Sequence, residues 1–163
     1  TARRKISLIG RSRLRSNRLM KRYNLRVYAL VIHEKKILVT DEFRGKMRMT
    51  KFPGGGNEWG EGLLETLKRE CVEELNQEII SAEHFYTTDF FVASAFHKDD
   101  QLISIYYKTV LPFPEKIKTV KNEFDFEEEK DGAQIFRWIE LEKLTAEKLT
   151  FPIDKKVAEL LIE

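Results

Sequence analysis

Cysteine is almost absent from this chain, since Cys71 is the only one among 163 residues. A single cysteine excludes a disulfide within the chain and fits the reducing cytoplasm, where we expect the protein to act. The three histidines (His33, His84 and His97) lack the spacing of a zinc site. No apolar run reaches the roughly 20 residues that span a membrane. We therefore expect no membrane partner.

Acidic residues are absent from the first 33 positions, although ten of the 29 Lys and Arg lie there. The rest of the chain carries 19 basic and all 27 acidic residues. A basic arm of this kind can bind nucleic acid, but residues 1–19 contain no interleaved aromatic residue. We expect a basic arm at 1–20, a single domain at 21–163, and a natural start at Met20. Residues 1–19 are then an artificial or upstream extension, and nucleic acid is a disfavoured partner.

A cluster of acids follows a glycine-rich turn in the segment GGGNEWGEGLLETLKRECVEELNQ, from Gly54 to Gln77. Glu70, Glu73 and Glu74 have i, i+3 and i+4 spacing, which places them within an arc of about 100° on a helix. Close carboxylates repel one another by roughly 1–4 kcal/mol per pair. Because a hard divalent cation turns this repulsion into attraction, the spacing indicates a metal site.

The remainder of this predicted helix also suits the edge of a cleft. An apolar stripe recurs at helical spacing through Leu64, Leu67, Cys71 and Leu75, so one side can be buried. Before the helix, Gly54 and its two following glycines let the backbone approach a ligand closely, and an exposed carbonyl there can serve as an extra metal ligand.

This segment resembles the Nudix box, the signature G-x5-E-x7-R-E-U-x-E-E-x-G-U of Nudix hydrolases, in which U is apolar. Residues 55–77 match it at Gly55, Glu61, Arg69, Glu70, Cys71, Glu73 and Glu74. Two positions depart, since Asn76 replaces the glycine and Gln77 replaces the final apolar residue. Asn tolerates the left-handed conformation that closes a helix, whereas Gln77 predicts looser packing after it.

The resemblance implies an enzyme in which water attacks a phosphorus of a nucleoside diphosphate linked to another group. It implies Mg²⁺ or Mn²⁺ as cofactor, with Gly54 (through its carbonyl), Glu70, Glu73 and Glu74 as ligands. Glu61 is then an auxiliary ligand or a partner of Arg69, and the catalytic set is Arg69, Glu70, Glu73 and Glu74. Members of the family differ in their general base, which here is a box glutamate or one of Glu123, Glu127, Glu128 and Glu129.

The substrate is less well specified. Basic and aromatic residues near the box are candidate substrate contacts, namely Arg26, Arg44, Lys51 and Trp59. The absence of proline between Pro53 and Pro112 disfavours an ADP-ribose type, and we favour a nucleoside triphosphate or similar small nucleotide over a nucleotide sugar. The alternatives are a non-catalytic nucleotide-sensing domain and an RNA-processing enzyme that uses the basic arm. A homodimer is left open.

The apolar pattern predicts an α/β protein, with a mixed β-sheet sandwiched between helices as in the Nudix fold. We predict strands at 25–32, 37–40, 78–80, 84–96, 101–111 and 134–140. Residues 33–36 are predicted to form a turn, 41–52 a basic loop, and 97–100 a polar turn. A closing helix is predicted at 154–162 with Asp154 as its N-cap.

Overall fold

The computed structural model describes residues 21–163, so the predicted basic arm at 1–20 lies outside the described residues. Within them the chain forms eight strands and two α-helices. The strands are β1 (Arg22–Leu30), β2 (Ile32–His33), β3 (Lys36–Arg44), β4 (Met47–Lys51), β5 (Gly54–Gly56), β6 (Ser81–Thr87), β7 (Asp100–Val110) and β8 (Ala133–Glu140). The helices are α1 (Leu63–Leu75) and α2 (Pro152–Ile162).

The strands form two sheets. The first has the order β5-β1-β7-β6 and is mixed, because β1 runs parallel to β7 but antiparallel to β5. In the second, β3 is central and pairs antiparallel with β8 along one edge and with β2 and β4 along the other. The predicted mixed α/β architecture is confirmed.

Strand β1 is covered on both faces, as its apolar sequence predicts. Val27 and Ala29 face a core shared with Leu67 and Cys71 of α1. The alternate residues Tyr28 and Leu30 face a second core, which α2 completes with residues such as Ile153 and Val157. The period of two along a strand therefore places one helix on each side of this sheet.

The predicted basic loop at 41–52 is wrong, because most of it is a hairpin. Strand β3 continues to Arg44, and β4 returns from Met47. Gly45 and Lys46 join the strands with φ values of 57° and 66°. Two consecutive positive φ values are the geometry of a tight turn that matches the twist of a hairpin. Charged residues along both strands concealed this pairing.

The predicted strand at 84–96 is too long. Strand β6 ends at Thr87, and the next residues leave the sheet. The reason is Thr88, whose hydroxyl accepts a hydrogen bond from the Ser104 amide (2.8 Å) and donates one to the Ser104 carbonyl (3.1 Å). The Thr88 amide also donates to the Ser104 carbonyl at 3.0 Å, so the backbone and side chain of one residue take up both Ser104 groups where β6 stops. The predicted strand at 78–80 is also wrong, since β6 begins at Ser81.

Both helices differ from prediction in one detail. In α1, Leu64 is exposed and Thr66 is buried instead, because Asn57 donates a hydrogen bond of 2.7 Å to the Thr66 hydroxyl and satisfies it. In α2 the N-cap is Phe151 rather than Asp154, and Pro152 takes the first helical position. Asp154 is buried and accepts a 2.7 Å hydrogen bond from the Tyr106 hydroxyl.

None of the helices in residues 21–163 has both the length and the apolar character needed to cross a bilayer.

Candidate active site

Helix α1 is held in place at both ends by its own sequence. At its start, the Glu65 carboxylate accepts a 2.6 Å hydrogen bond from the Gly62 amide. At its end, Asn76 adopts φ 54° and ψ 36°, the left-handed conformation that the sequence predicts there. The box therefore folds as one complete helix whose acid-bearing face has a fixed direction.

The glycines of β5 are required because two neighbours press on the strand. At Gly54, φ is +141°, and an added methyl group would overlap the Val27 carbonyl of β1. At Gly55, an added methyl group would overlap the Glu70 carboxylate. These two glycines bring the backbone of β5 against β1 on one side and against the acids of α1 on the other.

Arg69 binds three of the box glutamates. Its Nε donates to Glu61 Oε1 at 2.6 Å and its Nη2 to Glu61 Oε2 at 3.0 Å. Its Nη1 donates to Glu70 Oε1 at 3.0 Å and to Glu73 Oε2 at 3.2 Å. The guanidinium also reaches the Gly56 carbonyl at 2.9 Å. Arg69 thus ties the glycine turn to the acid face of the helix.

This contact keeps Glu61 ionised. Its hydrogen bond with Arg69 lowers the pKa of Glu61 to about 2, and the Thr66 hydroxyl contributes to the effect. Both Glu61 oxygens are engaged by the guanidinium, a two-bond geometry that is among the strongest side-chain pairings. Glu61 is predicted to be an auxiliary metal ligand or a partner of Arg69. In the structure its two oxygens pair with Arg69.

Glu74 faces away from Arg69. Its Oε2 accepts a hydrogen bond from the Gly54 amide at 3.1 Å, and its Oε1 accepts one from Gln134 Nε2 at 3.1 Å. The same Gln134 amide donates to Glu42 Oε1 at 3.1 Å. Burial raises the pKa of Glu74, and the negative charges of Glu42 and Glu70 act in the same direction. Glu74 therefore lies where a cation would be stabilising.

A small open cavity of about 240 Å³ adjoins these acids. Three of the predicted metal ligands line it, namely Gly54, Glu70 and Glu74. Glu73 and Glu61 do not line it and are held by Arg69 instead. In the part of the chain that the structure describes, no three Asp, Glu, His or Cys side chains already converge as a metal-binding group.

Lys51 places a buried positive charge in this cavity. Its Nζ lies 2.9 Å from Glu42 Oε1 and 3.4 Å from the Gly54 carbonyl. Burial alone would lower the pKa of Lys51, but the negative charge around it, including Glu42 and Glu74, raises it above the ordinary value. The predicted contact Lys51 is therefore a permanent cation among the acids.

The other predicted substrate contacts divide into two groups. Arg26 and Arg44 line a second cavity of about 290 Å³ on the α2 side of the sheet, and Arg44 also lines the acid cavity. Arg26 donates a 2.7 Å hydrogen bond to the Tyr28 hydroxyl. Trp59 is placed elsewhere, because it is fully exposed and lines none of the described cavities.

The later glutamates do not line the acid cavity, but Glu127 and Glu128 line a neighbouring cavity that Glu74 also lines. Glu123 pairs with Arg137 at 3.5 Å, Glu128 with Lys130 at 2.9 Å, and Glu129 with Arg48 at 2.6 Å. Glu127 lies 3.9 Å from Lys118 and is exposed. None of the four lines the cavity that contains Glu70 and Glu74.

Sequence reasoning missed two residues of this site, Glu42 and Gln134. Both line the acid cavity, and they face each other in the register of β3 and β8. Reading 41–52 as a loop hid Glu42. In a strand that continues to Arg44, successive side chains point to opposite faces, which could have placed the Glu42 side chain on the face opposite Asp41.

Comparison with protein-family models gives a match over residues 22–161 to the NUDIX domain. The chain belongs to the NUDIX domain family. Comparison of the sequence with curated proteins gives no significant match. As a Nudix hydrolase, the chain acts on pyrophosphate bonds of small nucleotide derivatives, and enzymes of this family generally use divalent metals.

Solved structures of other proteins share the fold. A MutT structure from work on Aliivibrio salmonicida and Vibrio cholerae is 19% identical, with a TM-score of 0.59 over 86% of this chain and 97% of that one. A NUDIX hydrolase from Nitrosomonas europaea is 18% identical, with a TM-score of 0.61 over 83% and 86%. MutT from Methanosarcina mazei Go1 is 21% identical, with a TM-score of 0.60 over 86% and 94%. At these identities the likeness concerns the fold.

Proposed function

We propose that this Nudix hydrolase cleaves a nucleoside diphosphate linked to a second group, with Mg²⁺ or Mn²⁺ as the cation. The observation that carries the proposal is that the Gly54 backbone and the Glu70 and Glu74 carboxylates line one cavity. These donors fit the cation, because hard divalent ions bind carboxylate and carbonyl oxygens. When bound, the cation would neutralise diphosphate oxygens and lower the pKa of a water molecule.

The residues of the site divide the work by their contacts. Glu70, Glu74 and the Gly54 carbonyl hold the cation, and Glu73 adds a carboxylate from the exposed edge. Arg69 orients Glu70 and Glu73, while Glu61 holds Arg69. The proton of the attacking water is taken up by a carboxylate of this cavity, because Glu70 and Glu74 line it with Gly54, whereas Glu127 and Glu128 line only the neighbouring cavity.

The diphosphate is bound by basic side chains that line the same cavity as the acids. Lys51 and Arg44 line the acid cavity, and Arg44 continues into the second cavity, which Arg26 also lines. That cavity is lined by the aromatic rings of Tyr28 and Phe96 and has a volume of about 290 Å³. Its size and its aromatic lining suit a nucleoside. We propose that the nucleoside enters here and that its phosphates extend toward Glu70 and Glu74.

The retained box acids favour catalysis over nucleotide sensing, and the basic arm of the RNA-processing alternative lies outside the described residues. A nucleotide substrate and the single, buried Cys71 favour the cytoplasm as the place of action. Burial raises the pKa of the Cys71 thiol to about 12, which suits an inert core residue.

The test is a screen of nucleoside diphosphate derivatives with Mg²⁺ or Mn²⁺, scored by release of phosphate, pyrophosphate or nucleoside monophosphate. Nucleoside triphosphates and nucleotide sugars are included, since the sequence favours the former. We expect cation-dependent cleavage of a phosphoric anhydride bond that chelation abolishes. Absence of cleavage across the panel, with the protein folded, would contradict the proposal.

A further inference from the structure

A large cavity lies beside the acid cavity, between the end of α1, strand β8 and the long connection at 112–132. Its volume is about 750 Å³. Eight apolar side chains contribute to its lining, namely Leu75, Phe113, Ile117, Val120, Phe126, Ala133, Ile135 and Phe136. We call it the distal cavity.

The distal cavity adjoins the catalytic acids. Glu74, Ala133 and Gln134 line both it and the acid cavity. The Gln134 amide lies at this boundary, where it donates hydrogen bonds to Glu42 and Glu74. The nucleoside cavity on the α2 side shares no lining residue with the distal cavity and meets the acid cavity through Arg44. The acid cavity thus lies between two larger cavities and shares a wall with each.

The walls of the distal cavity are fixed by specific contacts. Gln77 donates a 2.7 Å hydrogen bond to the Phe113 carbonyl and accepts one of 3.0 Å from the Phe113 amide. Further along, the Val120 amide donates to the Phe136 carbonyl at 2.9 Å. The Phe124 amide donates to the buried Asp41 carboxylate at 3.1 Å. Connections of this length without regular structure are uncommon unless they have a function.

The chemistry of the walls disfavours a bare phosphate as the occupant. Two of the three lysines that line the distal cavity lie beside acids, Lys130 at 2.9 Å from Glu128 and Lys118 at 3.9 Å from Glu127. The third, Lys116, lies over the Phe113 ring at 4.0 Å. A terminal phosphate would fill little of this volume and would meet apolar side chains and the acids Asp125, Glu127 and Glu128, which also line the distal cavity.

We infer that the distal cavity binds the second group of the substrate, and that this group is bulky with an apolar or aromatic face. The substrate class is then a nucleoside diphosphate joined to a group of about nucleoside size, rather than the nucleoside triphosphate that the sequence favours. This inference rests on the proposed function, because the second group reaches the distal cavity only when the diphosphate lies at Glu74.

The test compares a dinucleoside triphosphate with the matching nucleoside triphosphate, in adenosine and guanosine forms. We expect the wild-type kcat/KM to be at least about tenfold higher for the dinucleotide. Phe126→Ala removes one aromatic wall, so the ratio of the two kcat/KM values should fall by about tenfold, mainly through the KM for the dinucleotide. Phe91→Ala, at an exposed ring outside the distal cavity, is the matched control and should change neither value.

Binding of a methylene-bridged dinucleoside analogue, measured by calorimetry, tests the role of the distal cavity separately from the proposed hydrolase function. About tenfold weaker binding to Phe126→Ala than to Phe91→Ala supports the inference. Equal binding to the two folded variants, or a wild-type preference for the triphosphate, overturns it. If the wild type cleaves neither these two nucleotides nor any other member of the panel, the proposed function fails, and binding of the analogue alone decides whether the distal cavity holds a second group.

Discussion

Three glutamates within five positions of α1 have three different surroundings. Glu70 is largely buried between Arg69 and the Gly55 backbone. Glu73 is more than half exposed and contacts Arg69 at its edge. Glu74 faces the Gly54 amide and Gln134. Their positions on one helix face bring them near one another, but neighbouring elements decide what each oxygen contacts.

Replacing Glu73 or Glu74, two of the proposed cation ligands, should lower activity without lowering stability. We expect Glu74→Gln and Glu73→Gln each to lower kcat by about a hundredfold or more, as typical for groups that act in the chemical step. Because burial raises the pKa of Glu74, the charged form weakens the native state, and Glu74→Gln should unfold at an equal or higher temperature at pH 8. Steady-state kinetics and thermal unfolding measure the two effects.

Glu159→Gln, at an exposed position of α2, is the control and should behave as the wild type. Unchanged turnover in the Glu73→Gln, Glu74→Gln double variant would refute the assignment of the site.

The two glycines of β5 should respond differently to alanine. Gly55→Ala displaces the Glu70 carboxylate, a mobile side chain, so activity should fall while the protein stays folded. Gly54→Ala places a methyl group against the Val27 backbone at φ +141° and should cost about 3 kcal/mol or more of unfolding free energy. Urea unfolding and activity assays distinguish them. Gly62→Ala, at φ −75° without overlap, is the control, and a fully active Gly55→Ala would contradict the expected displacement of Glu70.

At the scale of elements, Gln77 departs from the apolar residue of the Nudix box and joins the end of α1 to the connection at 112–132. The predicted loosening is wrong here, because the Gln77 amide exchanges two hydrogen bonds with the Phe113 backbone. An apolar residue could not hold the connection at 112–132 in this way. The end of α1 therefore fixes one wall of the distal cavity.

Restoring the usual apolar residue tests this contact. We expect Gln77→Leu to lower the unfolding free energy by about 1 kcal/mol, the usual net value of a hydrogen bond. The Phe113 amide should also exchange with deuterium faster. Hydrogen exchange followed by mass spectrometry measures the local effect, with Glu78→Leu at the exposed neighbour as the control. Equal protection of Phe113 in both variants would show that the contact does not hold the connection.

At the scale of the whole molecule, one buried ion pair joins the second sheet to the long connection. Asp41 accepts hydrogen bonds from Arg137 Nε at 2.6 Å, from the Thr50 hydroxyl at 2.7 Å and from the Phe124 amide at 3.1 Å. The Asp41 carboxylate therefore joins strands β3, β4 and β8 to the connection that forms one wall of the distal cavity.

Breaking this pair should be severe. Arg137→Met leaves the Asp41 carboxylate buried without its partner, and the unfolding free energy should fall by about 3–5 kcal/mol. The double variant Asp41→Asn, Arg137→Met should recover part of the loss, since it removes the uncompensated charge. Chemical denaturation of the wild type, Asp41→Asn, Arg137→Met and the double variant gives the four unfolding free energies of a double-mutant cycle. Additive losses would contradict the coupling of the two residues.

The pH dependence of stability should contain a contribution from Asp154. Burial raises the pKa of this carboxyl from 3.8 to about 7, although the Tyr106 hydroxyl donates a hydrogen bond to it and Lys51 and Arg26 oppose the shift. Between those pH values the native state binds a proton that the unfolded state lacks, so stability falls as pH rises through about 7. Asp154→Asn should flatten this slope and be more stable than the wild type at pH 8, as measured by unfolding at pH 4 to 8. An unchanged slope would contradict the assignment.

The sequence by itself determined the local parts of this protein. The fixed spacing of the box acids, the glycines before them and the left-handed Asn76 follow from the geometry of one helix and one turn, which neighbours in the chain suffice to specify. Residues 25–32 are apolar on both sides of a strand, which likewise predicted a strand buried on both faces.

Only the tertiary structure decided which atoms meet across the site. Glu42 and Gln134 reach Glu74 because β3 and β8 pair beside α1, and Thr88 ends β6 because it meets Ser104 sixteen residues along the chain. Such contacts join positions whose distance apart in sequence carries no periodic signal. The division of the carboxylates has the same origin: packing directs Glu74 into the acid cavity and Glu61 and Glu73 to Arg69, while Glu70 contacts both.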